Sequence, residues 1–164
     1  MSCDIAMSAA ILLASFHPGP HATPQLMLAA LADAPAPAAG AINPLAREPL
    51  YADIVRRAGL LKAEVSTYRA APAGTTPLPG FAAFKTDVAA LSDLDMQGHL
   101  DLAKRGTDGD LKCILRGISQ DLPRKLTEVE QASTADARSA ALQDIFYLLR
   151  DNVEVITSPA VPTV

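Results

Sequence analysis

Residues 110–130, DLKCILRGISQDLPRKLTEVE, carry the most strongly patterned apolar spacing in the chain. Leu111, Ile114, Leu115, Ile118, Leu122, Leu126 and Val129 fall three or four apart, which at about 3.6 residues per turn gathers them on one stripe of a helix. A stripe of this kind has no stable solution alone in water. The other segments must therefore supply faces that cover it, and this constrains the chain to helices packed on helices.

Three further segments have such faces. Residues 49–68 place Pro49 in a first turn and set Leu50, Ile54, Ala58, Leu61, Val65 and Tyr68 on one side, spaced like a coiled-coil seam. Arg56, Arg57, Lys62 and Arg69 tint this helix basic, and with Asp53 and Glu64 among them they read as a solvated outer face. Phe81, Phe84, Val88 and Leu91 form a second face after the Pro- and Gly-rich loop at 71–80, and two phenylalanines in its first turn should anchor a core. Residues 96–104 read as a short helix or a loop, Gly98 interrupting the pattern. The last helix is expected at 135–152, facing inward with Leu142, Ile145, Phe146 and Leu149 and ending at Asn152 in a left-handed turn.

Local signals mark the boundaries. Thr107 with Asp110, and Ser133 with Asp136, have the spacing of a capping box. Pro123 forfeits a helical hydrogen bond and should bend or break its helix near Gln120. The tail after Asn152, with β-branched residues and two prolines, reads as extended or frayed. Aromatic residues make up only 4% of the chain against 49% hydrophobic overall, a composition that suits close-packed helices better than a β-sandwich. The fold class that follows is all-α: an antiparallel bundle of four or five helices over residues 45–164, preceded by an Ala/Pro-rich N-terminal arm at 1–44.

The arm is of a different character. No charged residue lies between Asp4 and Asp33. Residues 7–16 are apolar over about half the length of a bilayer crossing, so no transmembrane segment is expected. No basic residue precedes them, so a secretory signal would be an incomplete one, and a cytoplasmic location is the plainer expectation. A short helix after Thr23 would carry Leu26, Leu28 and Leu31, which could anchor an amphipathic segment in a partner's groove. Residues 34–44 read as a linker.

The net charge of −4, without a run of Lys or Arg, gives no footprint for nucleic acid. Two cysteines, Cys3 and Cys113, match no metal-ligand spacing and suggest reduced thiols. Cys113, close to Lys112 and Arg116 near a helix start, is a candidate functional or cofactor-bearing thiol.

Two resemblances bear on chemistry. Residues 93–104 resemble an EF-hand calcium loop: Asp93, Asp95, Gln97 and Asp101 would supply oxygen ligands, Gly98 the sharp turn and Leu100 the apolar position. The segment departs from that family at Lys104, which stands where a bidentate Glu closes the coordination sphere. His99, beside Gly98 and with Lys104 nearby, gives a faint likeness to helical phosphorelay domains, although the Lys-Gly pattern of that family does not follow it. No phosphate loop or serine-nucleophile motif is present. The functional expectation is a non-catalytic helical interaction or regulatory module of bacterial type, suggested by its Ala-rich composition, that binds another protein or a second copy of itself. The alternatives are a degenerate calcium-binding module, and a phosphorelay or thiol-based regulator using His99 or Cys113. No cofactor is expected other than calcium in the first alternative.

Overall fold

In the computed structural model, which describes residues 42–72, 77–106 and 109–159, each apolar seam becomes the inner face of a helix. A 3-10 turn, Pro44–Arg47, leads into α1 (Pro49–Ala70), α2 (Phe81–Lys104), α3 (Leu111–Gln131) and α4 (Ala135–Thr157). The architecture is an all-α bundle of four helices, with no strand among the described residues.

Side-chain contacts fix the direction of every neighbouring pair. The start of α1 meets the end of α2 where Tyr51 donates to the Gly98 carbonyl. The end of α1 meets the start of α2 where the Tyr68 ring stands edge-on to Phe81 and Phe84, at centroid distances of 6.0 and 5.2 Å. Between α2 and α3, Lys85 pairs with Glu130 and His99 Nδ1 lies 2.6 Å from the Lys112 carbonyl. Lys125 of α3 reaches Asp144 of α4 at 2.7 Å. Arg69 of α1 bonds Gln143 and covers the Phe146 ring, while Asn43 N–H donates to the Thr157 carbonyl at the far end. All four neighbours are thus antiparallel, and α1 lies diagonal to α3 as α2 does to α4.

The core runs the length of the bundle. Tyr51, Ile54, Ala58, Leu61, Val65 and Tyr68 of α1 face Phe84, Val88, Leu91 and Leu102 of α2, Leu115, Ile118, Leu122, Leu126 and Val129 of α3, and Leu142, Ile145, Leu149 and Ile156 of α4. The seam read for α1 holds except at its start, where Tyr51 and not Leu50 is fully buried. On α3, Ile114 is partly exposed and leaves the stripe.

Several boundaries differ from expectation, each for a packing reason. Residues 96–104 are not a separate helix but the last turns of α2, which continues without a break because Gly98 and Leu102 stay on its buried face. Pro123 lies inside α3. A mid-helix proline costs about 3 kcal/mol, and the helix continues through it because Leu122, Leu126 and Val129 on both sides are buried. The last helix does not stop at Asn152. It runs to Thr157 because Ile156, one turn beyond, is completely buried, and Ser158 N–H closes it on the Glu154 carbonyl at 2.8 Å. Its N-cap is Thr134, one residue later than Ser133, accepting from Ala137 N–H at 3.1 Å. Asp110 precedes α3 without a side-chain cap bond, and Thr107 lies outside the described residues.

Candidate functional site

The surface between α1 and α2 carries a cleft of about 320 Å³ lined by Arg56, Arg57, Leu60, Leu61 and Glu64 of α1 and Asp87 of α2. Its local origin is a register mismatch within α1. Ala58 and Leu61 occupy the core seam, so Leu60, one position before Leu61, is carried around to the outer surface and is 62% exposed. Leu61, buried, lies beneath. One end of the cleft is basic: Arg56 and Arg57 both bond Asp53, the latter through Nε at 2.8 Å, and Asp53 is held below the usual carboxylate range chiefly by these two hydrogen bonds. The other end is acidic, with Asp87 exposed and Glu64 accepting from the Tyr68 hydroxyl at 2.7 Å. An exposed leucine between opposite charges offers one apolar anchor and an electrostatic direction to a segment lying along the groove. The basic residues of this helix read in the sequence as a solvated face; the signal missed was Leu60, an apolar residue out of seam among them.

The lower end of the bundle holds a polar network. The Tyr51 hydroxyl, buried at the α1–α2 contact, directs its one proton toward Asp101 Oδ2 at 2.8 Å, with the Gly98 carbonyl at 3.2 Å sharing it. Arg105 bridges Asp101 at 2.7 Å and Glu48 at 2.6 Å. The Tyr51 bond lowers the Asp101 pKa and the Arg105 bond lowers that of Glu48, while burial, reinforced by Asp101, raises that of Tyr51. This network clasps the start of α1 to the end of α2.

The residues of the calcium-loop resemblance do not form a loop. All of residues 93–104 belong to α2, where Asp93, Gln97 and Asp101, four apart, share an outer face while Asp95, about 200° round from Asp93, points into the core, so the four cannot wrap one ion as a loop does. Asp93 and Gln97 are exposed, Asp101 is engaged with Tyr51 and Arg105, and Asp95 is fully buried. Among the described residues, no three His, Cys, Asp or Glu side chains gather as metal ligands would. His99 is half-buried, with Nδ1 against the Lys112 carbonyl. Cys113 is half-buried on α3, and Cys3 lies outside the described residues. Leu26, Leu28 and Leu31 also lie outside them. No helix among the described residues is long and apolar enough to cross a membrane.

The fold also brings together a buried pair that the sequence did not single out as a pair. Asp95 of α2 and Asn152 of α4, both completely shielded from solvent, meet across the diagonal of the core. Asn152 Nδ2 donates to Asp95 Oδ1 at 3.0 Å and Oδ2 at 2.8 Å. Burial pushes the Asp95 carboxyl up to about 7, the Asn152 bond acting in the opposite direction. The side-chain oxygen of Asn152 is buried with no hydrogen-bond partner. Comparison with known proteins finds no protein-family model, no curated protein and no solved structure that matches the chain.

Proposed function

We propose that the chain is a non-catalytic helical interaction module that binds another protein along the α1–α2 groove. The observation that carries this reading is Leu60: a large apolar side chain, 62% exposed, set in a cleft with arginines at one end and carboxylates at the other. A partner's amphipathic helix could place an apolar residue against Leu60 and Leu61 and an acidic one toward Arg56 and Arg57. Truncating a central apolar anchor of such an interface commonly costs more than rim substitutions do.

The test compares wild-type protein with Leu60→Glu and Leu100→Glu, each tagged and purified gently from its own host, with co-purifying proteins quantified by mass spectrometry. Leu100, 58% exposed on α2 outside the cleft lining, serves as the control. The expected result is a protein retained by wild type and Leu100→Glu and lost about tenfold from Leu60→Glu, an apolar-anchor effect of ordinary size. Equal recovery from all three removes the groove as the binding surface. A second copy of this chain in the groove would instead appear as a homodimer that Leu60→Glu alone dissociates.

A further inference from the structure

The core pair poses a hydrogen-bonding problem that one proton solves. With Asp95 ionised, a single amide NH2 group serves both carboxylate oxygens, and Asn152 Oδ1 is left buried without a donor. An ionised carboxylate is acceptor-only, so it cannot supply the missing bond. A carboxylic acid can. If one Asp95 oxygen carries a proton and the Asn152 amide turns about its terminal torsion, the amide N–H donates to the acid carbonyl. The acid O–H then donates to the amide oxygen, and the orphaned atom is satisfied.

We propose that Asp95 and Asn152 form this acid–amide ring in the closed bundle, and that release of its proton to water loosens the α2–α4 diagonal, so that the pair acts as a proton-operated latch. Deprotonation leaves a carboxylate with one donor group and an amide oxygen with none, both out of reach of water unless the helices part. The upward push on the Asp95 carboxyl, to about 7, sets the changeover near neutrality.

Among the described residues, no neighbouring charge offers another way to hold the anion. At this level α1 contributes Ile54 and Ala58, both buried. The antiparallel register set by the Gly98–Leu115 approach and the His99–Lys112 bond brings α3 alongside at Ser119, whose hydroxyl donates to the Arg116 carbonyl at 2.7 Å. On α2 the nearby Ser92 donates to the Val88 carbonyl at 2.9 Å, Asp93 is exposed and His99 faces the Lys112 carbonyl. On α4 Arg150 pairs with Asp151 at the surface. Among the described residues, burial pushes the carboxyl up and the Asn152 bond opposes it.

The test follows the Asp95 side-chain carbon by NMR through a pH titration and measures amide hydrogen exchange in wild type and Asp95→Asn. An asparagine at 95 makes the same ring with Asn152, amide to amide, and has nothing to titrate. In wild type the Asp95 signal should shift with a midpoint near pH 7. Amides in the central turns of α2 and α4, corrected for intrinsic rates, should lose about tenfold protection between about pH 6 and pH 9. Asp95→Asn should keep its protection across that range. The proposal fails if the Asp95 signal is that of a carboxylate at pH 5, or if both proteins lose protection alike. If Asp95→Asn does not fold, the wild-type titration alone decides.

Discussion

Asn152→Leu is the substitution whose cost depends most sharply on how Asp95 is held. Leucine has the same number and branching of side-chain heavy atoms as asparagine, though more bulk, so the change removes the amide without opening a hole. At pH 8 it leaves Asp95 completely buried and with no donor, since Nδ2 of Asn152 supplies both of its bonds and opposes the upward push of burial, so the carboxyl must either ionise unpaired or be held protonated against the solvent pH. A hydrogen bond to a charged group contributes about 1.5–3 kcal/mol, and removing one partner of a buried polar pair costs about 3–5 kcal/mol. Burying leucine recovers part of that, so a net loss of about 3 kcal/mol is expected at pH 8. At pH 5 Asp95 carries its proton, no charge is stranded, and the loss should shrink to about 1 kcal/mol, the size of a neutral hydrogen bond. The double variant Asp95→Leu/Asn152→Leu removes the polar pair entirely, and at pH 8 should equal or exceed wild type, by up to about 4 kcal/mol. Urea unfolding followed by circular dichroism, with linear extrapolation at both pH values, measures all three proteins; a change of about 3 kcal/mol moves the midpoint by about 1–3 M. The reasoning is refuted if the single variant loses the same stability at both pH values, or if the double variant is no more stable than the single one.

Wild-type stability should fall as pH rises from about 4 to about 7. Unfolded Asp95 ionises near 3.8 while the folded carboxyl keeps its proton to about 7, so in that window the unfolded state binds fewer protons. Stability then drops by about 1.4 kcal/mol per pH unit, about 4 kcal/mol in all, and is level above pH 7. Glu48, Asp53 and Asp101, held low by their partners, act in the opposite sense, contributing stability above their unfolded values that is lost in stronger acid. Urea unfolding across this range should therefore show a maximum in mild acid, and a steady rise toward pH 8 would contradict it. The helical glycines separate by surroundings: Gly59→Ala and Gly117→Ala, where an added Cβ meets nothing within 4 Å, should each stabilise by about 0.5–1 kcal/mol. Gly98→Val, whose Cβ would lie 3.1 Å from a Leu115 methyl and 3.4 Å from Ile54 and Tyr51, should cost about 1–3 kcal/mol. Thermal melts of the three variants check both signs.

The helical class and most inward faces were legible because apolar residues recur at helical spacing, and burial enforces that spacing. The misreadings cluster where a core position is polar or missing a side chain. On α2 the buried positions Phe84, Val88, Leu91, Asp95, Gly98 and Leu102 alternate four and three without a break, yet the face seemed to end at Leu91 because an aspartate and a glycine follow. On α4 Leu142, Ile145, Leu149, Asn152 and Ile156 continue in the same way, yet Asn152 read as a terminus. An isolated Asp is rarely buried and Asn favours helix ends, so each residue read singly points outward. Only the unbroken seam on two helices at once indicates that the two polar residues face each other. The groove was illegible for a converse reason: Leu60 becomes informative once α2 leaves it uncovered, and that is a property of packing between helices.

The same pair restricts which alignment of the helices is stable. A core of Leu, Ile, Val and Ala with repeating spacing tolerates sliding, because one aliphatic residue substitutes for another with little penalty. Asp95 and Asn152 remove that tolerance. Sliding α4 by seven residues would keep its seam inward but bring Ile145 to the level now held by Asn152. Asp95 would then be buried without any donor, a loss of several kcal/mol against a folding free energy of about 5–15 kcal/mol. Reversing α4 would likewise part the two groups. An aliphatic pair would add stability while leaving these alternatives open, as single polar residues in coiled-coil seams illustrate. The arrangement that pins α2 to α4 is therefore the one whose strength follows the proton on Asp95, so the register device and the pH-sensitive contact are the same pair of side chains.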